Sequence, residues 1–251
     1  MKHVVLFSGG AASAYVAYLV KNDPRVDKRD IVLLHTPTLS EVPDSEKFRL
    51  KVARHLELPM TVWGRGEDLW DMIDRNHCLP GNFFPFCTQQ FKIQMKEEYF
   101  KYLESIGEEY VEYLGFGPNE HYRVAKAEEK ASKAGRIVEF PLYRLGITSE
   151  ECKRIIRDEW NIPLPSSYEN LPHNNCIPCF KAGKSYWYAV WKHYPEQYEM
   201  AAGKEEEQGH TVFKGITLRE LAEKFSARRE LEDNQVLLEE FFDLPCSCVT
   251  Q

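Results

Sequence analysis

The sequence of 251 residues has no unbroken apolar run of the roughly 18 residues a helix needs to cross a bilayer, so no membrane partner is expected. It has no excess of basic charge: 32 Lys and Arg stand against 39 Asp and Glu, for a formal net charge of −7. That balance excludes a broad surface for coating nucleic acid, but not a local basic groove. There is no internal repeat and no low-complexity segment. The Gly-x-x-x-x-Gly-Lys-Ser/Thr loop and the dinucleotide Gly-x-Gly-x-x-Gly signature are both missing. The start, Met1-Lys2-His3, runs into a strand-like stretch without a cleavage-like region. A cytoplasmic location is therefore expected.

What is present begins with Val4-Val5-Leu6-Phe7 followed by Ser8-Gly9-Gly10 and the largely apolar Ala11–Val20. This reads as strand, glycine turn and helix. Such a turn brings backbone N–H groups and a helix N-terminus to one point, which suits an anion and above all phosphate. A tight turn without a ligand is the plain alternative. Apolar residues make up 43 % of the chain, enough for a sizeable core.

Short β-rich runs alternate with helical spacing through the first 145 residues or so. Val4–Phe7, Ile31–His35, Met60–Trp63, Tyr110–Phe116 and Ile137–Phe140 read as strands, and Ala11–Lys21, Ser45–Leu56, Leu69–Arg75 and Phe91–Ser105 as helices. Alternation of this kind predicts an α/β fold, a Rossmann-like parallel sheet with flanking helices. Ligands of such sheets lie beyond the carboxyl ends of the strands. Ser8, His35, Thr36, Thr38, Gly64, Gly115 and Phe116 fall there. Thr148 with Glu151 reads as a helix cap. From about residue 164 the composition turns loop-rich and then helical, which divides the chain into a nucleotide-binding part, 1–163, and a Cys-bearing, mainly helical part, 164–251, packed on the same site. Helices are expected over Ser185–Lys192, Glu196–Ala202 and Leu218–Glu223, with Lys204–Gln208 as a solvated helix end, Ser226–Gln235 as a polar stretch and Val236–Leu244 as an apolar one.

Seven cysteines in a cytosolic chain do not read as a disulfide framework. Cys176 and Cys179 form a Cys-x-x-Cys pair in a loop, which suits a metal ion or one edge of an iron–sulfur cluster better than a redox dithiol. Cys87 precedes Lys92 and Lys96 at a helix start, where the helix end and the cations would favour a thiolate, the plain alternative being an ordinary capped helix with a partly buried cysteine. Cys246 and Cys248 lie in the tail, as ligands, as nucleophiles or as adventitious thiols. Arg123 and Lys126 share one helix face and suit anionic oxygens, or plain surface charge. Lys181, Lys184 and Tyr186 follow the Cys pair and suit the same use.

Taken in order, these segments resemble the adenine nucleotide alpha-hydrolase (PP-loop) superfamily, in its PAPS (3′-phosphoadenosine-5′-phosphosulfate) reductase-like branch, including the small versions found in phages and mobile elements. The resemblance rests on Ser8-Gly9-Gly10-Ala11-Ala12-Ser13, His35-Thr36-Pro37-Thr38 with Pro43-Asp44, Cys87-Thr88 with Phe91-Lys92, Gly115-Phe116 with Glu120 and Arg123, and Asn174-Asn175-Cys176-Ile177 with Cys179, Lys181 and Gly183, followed by Tyr186-Trp187. It implies phosphate binding at Ser8–Ser13 and an adenosine site along the sheet edge, bordered by His35, Thr36, Gly115 and Phe116, with Lys92 and Arg123 offsetting anionic charge. It also implies a [4Fe–4S] cluster on Cys87, Cys176 and Cys179. Thr88 stands where the related reductases carry a further cysteine, so the fourth position falls to Cys246 or Cys248, or stays an open iron. Ala12 stands where the ATP pyrophosphatases of the superfamily carry Asp, which disfavours ATP cleavage. The reductases' Glu-Cys-Gly-Leu-His tail is replaced by Pro245-Cys246-Ser247-Cys248-Val249.

The implied function is reduction of an adenylyl-sulfate-type substrate, or sulfur transfer, with Cys248 or Cys246 as nucleophile, Lys92 assisting, and a thiol reductant protein as partner. Two other readings remain. One is an ATP-dependent sulfurtransferase acting on DNA or tRNA. The other is a non-catalytic nucleotide-binding protein with a structural zinc on the same cysteines. The sequence does not set the oligomeric state, and a homo-oligomer is compatible with it.

Overall fold

The computed structural model describes residues 1–171, 174 and 176–233. Cys246, Cys248, Asn175 and the Val236–Leu244 stretch lie outside the described residues. Five strands, β1 (Lys2–Leu6), β2 (Ile31–His35), β3 (Met60–Val62), β4 (Tyr110–Tyr113) and β5 (Ile137–Glu139), form one sheet in the order β3-β2-β1-β4-β5. Every pairing is parallel, with Val4 of β1 opposite Val32 on one side and Glu112 on the other. The expected α/β fold is therefore the observed one. β1 is central and covered on both faces, which is why it reads as an unbroken apolar run rather than an alternating one.

The chain first winds outward from β1 to β2 and β3, then returns to the other side of β1 for β4 and β5. Helices α1 (Ala11–Lys21) and α2 (Pro43–Leu56) make the first two crossovers. Val5 and Leu33 pack with Ala14, Val16, Ala17, Phe48 and Val52 on that face. The return crossover holds α3 (Leu69–Asn76), α4 (Phe86–Thr88) and α5 (Met95–Ser105), with a π-helical stretch, Gln89–Gln94, joining the last two. Its Tyr99, Phe100 and Leu103 cover the opposite face through Val4 and Leu34. Alternate residues of one strand thus feed two cores. Helices α6 (His121–Lys133), α7 (Pro141–Leu145) and α8 (Ser149–Arg154, continued by π-helical Ile155–Glu159) complete the first part. Thr148 and Glu151 form the expected capping box.

After α9 (Ser167–Asn170), a third core joins α10 (Lys184–His193), α11 (Pro195–Gln208) and α12 (Leu218–Asp233) to the middle of the chain. Trp187, Tyr198, Leu221 and Phe225 pack there with Leu69, Met72, Phe86 and Phe91. The segment carrying Cys87 and the segment carrying Cys176 therefore lean on one apolar cluster.

Three local expectations are corrected. Helix begins at Phe86, not Phe91, so Cys87 and Lys92 sit within the helical run. The Ser226 stretch continues α12 as far as Asp233, because Leu218, Leu221 and Phe225 anchor that helix on the third core. The Lys204–Gln208 run is not all solvated: Glu205 is buried, and its carboxylate accepts hydrogen bonds from the Val212 and Leu218 N–H groups.

Candidate functional site

The strand order places a topological switch point between β1 and β4, the place where an open parallel sheet leaves a crevice at its carboxyl edge. The turn after β1 opens into it. Gly9 has φ +86, a conformation that favours glycine. Gly10 caps α1 in extended conformation, without a side-chain cap. The Ser13 hydroxyl donates to the Gly10 carbonyl at 2.9 Å and lies 3.3 Å from the Ser8 hydroxyl. The Ala11 N–H donates to the Tyr168 phenol at 3.1 Å. Tyr168, on α9, thus takes up one of the free amides that begin α1. Gly115, just past β4, closes the other wall: a Cβ there would stand 3.2 Å from the Ser13 nitrogen and 3.3 Å from the Ala12 carbonyl carbon.

His35 and Arg49 lie behind the turn. The His35 Nδ1–H donates to the Phe7 carbonyl at 2.9 Å, which leaves Nε2 as the bare nitrogen, buried and without a partner. Burial, helped by the charge on Arg49, lowers the His35 pKa to about 4, so the ring is neutral near pH 7. His35 is 3 % exposed. Thr36 is half-buried beside it.

Asn174 connects this turn to the cysteines. Its amide donates to the Gly9 carbonyl at 2.8 Å, and its carbonyl accepts from the Ser45 hydroxyl at 2.7 Å and the Ser167 hydroxyl at 2.8 Å. All three bonds are buried. Two residues on, the Cys176 Sγ lies 3.1 Å from the Thr38 hydroxyl. Thr38 gives its one hydroxyl proton to Glu41 at 2.7 Å, so Cys176 is the donor in that contact. The Ile177 N–H donates to the Ser40 carbonyl, and the Tyr186 hydroxyl to the Cys176 carbonyl, each at 2.8 Å. Lys181 donates to the Thr88 hydroxyl at 3.3 Å, which ties the Cys-x-x-Cys segment to the helix of Cys87.

Lys92 projects from the π-helical stretch among these groups. Desolvation is the largest influence on its ammonium and opposes the charge, but Cys176, Cys179, Glu41 and Cys87 together raise its pKa. Lys92 nonetheless keeps exposed surface. Burial pushes the Cys176 thiol up to about 12 and raises that of Cys87 as well. The expected thiolate at Cys87 is thus corrected: Lys181 and Lys92 favour it, but desolvation outweighs them. Cys87, Cys176 and Cys179 form no disulfide. Among the described residues, no three His, Cys, Asp or Glu side chains stand together as a metal ion requires.

The remaining expected residues lie along the same edge. The Arg123 guanidinium stacks on Phe116 at 4.2 Å and pairs with Glu120. Glu120 also accepts from the Gly117 N–H at 2.6 Å. Phe116 stacks on Phe140 at 5.6 Å. Glu120 and the Phe116 ring therefore hold Arg123 in place, and its buried Nε has no hydrogen-bond partner among the described residues.

Arg49, Tyr168 and Glu41 escaped the sequence reading. Arg49 had a legible signal, since it is a charge on the apolar stripe Phe48, Val52, Leu56 of α2. Tyr168 had none, because its contact spans 157 positions of sequence.

The fold is an α/β one whose switch point sets the glycine turn after β1 in line, through Asn174, with the segment of Cys176. No family profile matches the chain, and no curated protein does. Among solved structures, the chain is similar to the crystal structure of phosphoadenylyl-sulfate (PAPS) reductase from Candida auris in its phosphate complex, at 13 % identity and a TM-score of 0.47, over 70 % of this chain and 81 % of that one.

Proposed function

We propose that the chain binds an adenine nucleotide in the crevice between β1 and β4 and carries out sulfur chemistry beside it, as a PAPS reductase-like enzyme. One observation carries the reading. Asn174 bonds the Ser8–Ser13 turn to the segment bearing Cys176 and Cys179, so the anion-binding backbone and the thiols belong to a single crevice. Ser8, Gly9, Gly10, Ala11, Ala12 and Ser13 cradle phosphate through backbone N–H groups and hydroxyls. His35, Thr36, Gly115 and Phe116 border the adenosine. Lys92 and Arg123 offset the ligand's negative charge.

The donor set suits a soft metal centre in its chemistry. Cys176, Cys179 and Cys87 each act electrostatically on the Lys92 ammonium, which would offset the charge of thiolates. Holding a [4Fe–4S] cluster or a zinc ion there requires Cys87, Cys176 and Cys179 to draw together and lose their protons. A fourth donor would come from Cys246 or Cys248, outside the described residues. When bound, a cluster with three protein ligands offers one open iron for sulfide. With an adenylyl-sulfate-type substrate, the thiolate of Cys248 or Cys246 attacks sulfur. The S–O bond to the nucleotide breaks, and AMP or its 3′-phosphate derivative leaves. Two electrons from a thiol reductant then free sulfite and leave a disulfide.

Anaerobic purification with iron, zinc and sulfide analysis tests this, joined to binding of ATP, adenylyl sulfate and PAPS by the same sample. The expected result is iron with sulfide, and adenylyl sulfate or PAPS bound more tightly than ATP. Zinc alone converts the reading to a structural metal centre. ATP–pyrophosphate exchange that depends on DNA or RNA converts it to a sulfurtransferase. A protein with neither metal nor nucleotide affinity overturns it.

A further inference from the structure

Among the described residues, a buried guanidinium with two unpartnered nitrogens lies under the Ser8–Ser13 turn. Arg49 is 7 % exposed, and its Nε and Nη1 are buried with no hydrogen-bond partner. Glu41 and Glu46 act on it electrostatically, but among the described residues neither forms an ion pair with it. A guanidinium withdrawn from water without a counter-charge is costly, so its position calls for an anion. What lies against it is Gly9. The Arg49 Cγ, Cδ and Nη1 stand 3.0–3.1 Å from where a Gly9 Cβ would be. The missing side chain is what admits the guanidinium beneath the turn. From the other side, α1 directs its N-terminus at the same turn, with Gly10 as its cap. Two positive features thus converge on Ser8–Ser13. The neutral His35 beside them adds no offsetting charge.

We propose that Arg49 is the charge partner of an oxyanion, phosphate or sulfate, bound at the Ser8–Ser13 turn, and that it sets the affinity of the crevice for such groups. This rests on the nucleotide reading of the turn. The guanidinium acts from beneath, across the Gly9 peptide, where protein rather than water fills the space and a charge pair interacts more strongly.

Thermal unfolding of the full chain tests the proposal, in the presence of rising inorganic phosphate or, separately, sulfate. Each ion raises the melting temperature of the wild type, and the larger shift identifies the preferred group. Arg49→Met keeps the length and removes the charge. Without ions it melts at or above the wild-type temperature, since an unpaired buried charge is gone. Its affinity for the preferred ion falls about ten- to hundredfold. Arg49→Lys retains the charge and most of the shift. An Arg49→Met protein that responds to both ions like the wild type overturns the proposal. So does an Arg49→Lys protein that folds but loses the response, which also decides the matter should Arg49→Met fail to fold. If the wild type responds to neither ion nor to ATP, the nucleotide reading fails as well. If it responds and Arg49→Met responds equally, only the role of Arg49 falls.

Discussion

The glycine turn after β1 and the cysteine-bearing segments share Asn174 and are otherwise built in opposite ways. The turn is backbone, shaped by Gly9, walled by Gly115 and partly capped by Tyr168. Part of its hydrogen bonding is already closed by the protein, through Tyr168 on the Ala11 N–H and Gly10 on the Ser13 hydroxyl. The cysteine side is made of side chains from three segments, at Thr38, Cys87 and Cys176, that meet only in the folded chain. Burial biases the Cys87 and Cys176 thiols toward the protonated form, and among the described residues the cysteines make no metal-holding group. Backbone sites come with the fold, whereas side-chain sites must also be drawn into their final geometry by what they bind.

Breaking the joint between the two regions has the largest expected effect. Asn174→Ala strands the Gly9 carbonyl and the Ser45 and Ser167 hydroxyls. Loss of about 3 kcal/mol in urea unfolding is expected, since each buried unpaired group costs about 1 kcal/mol or more. A loss below about 1 kcal/mol would mean that the two regions stand independently.

Acid comes next and acts on the turn side. The His35 pKa falls from 6.5 to about 4 on folding, so the unfolded chain binds the extra proton between those values. The contribution is complete above pH 6.5 and is lost as pH falls toward 4. The lost stability approaches about 3 kcal/mol. His35→Asn should flatten that part of the pH–stability curve, and an unchanged slope would contradict the assignment.

A smaller effect sharpens the backbone half of the comparison. Gly115→Ala puts a Cβ against the Ser13 and Ala12 backbone, which cannot yield as a side chain can. A cost of about 2 kcal/mol is expected, together with weaker phosphate binding. Gly203→Ala, in α11 with open space around it, should instead stabilise by about 0.5–1 kcal/mol. Equal melting temperatures for the two variants would contradict the close approach.

The smallest effect falls on the cap. Tyr168→Phe leaves the Ala11 N–H without its acceptor and should cost about 1 kcal/mol in thermal unfolding. No change would mean that water replaces the phenol.

Much of the sheet was legible because its signals are local. Ile31–His35 and Ala11–Lys21 were read with their observed bounds, since a turn or a change of period marks each end. The apolar spacing becomes regular only at Phe91, so the sequence places the helix start there, while the preceding turn, Phe86–Thr88, is held by packing on the third core. Glu205 looked solvated within its run of charges, yet the chain returns at Val212 and Leu218 to bury it. The thiolate expected at Cys87 followed from its charged neighbours, and burial, which no spacing encodes, reversed it.

The sequence by itself determined the strand–turn–helix at Val4–Val20, the α/β alternation, and which residue types stand at the strand ends. These follow from hydrophobic period, glycine and caps, all within a few residues of one another. Tertiary structure alone decided that Arg49 lies under Gly9, that Tyr168 takes the first amide of α1, and that Asn174 joins the turn to Cys176. Each of these contacts spans at least 40 positions of sequence. They exist because packing the sheet and the third core together leaves those side chains nowhere else to go, and local propensity carries no record of that.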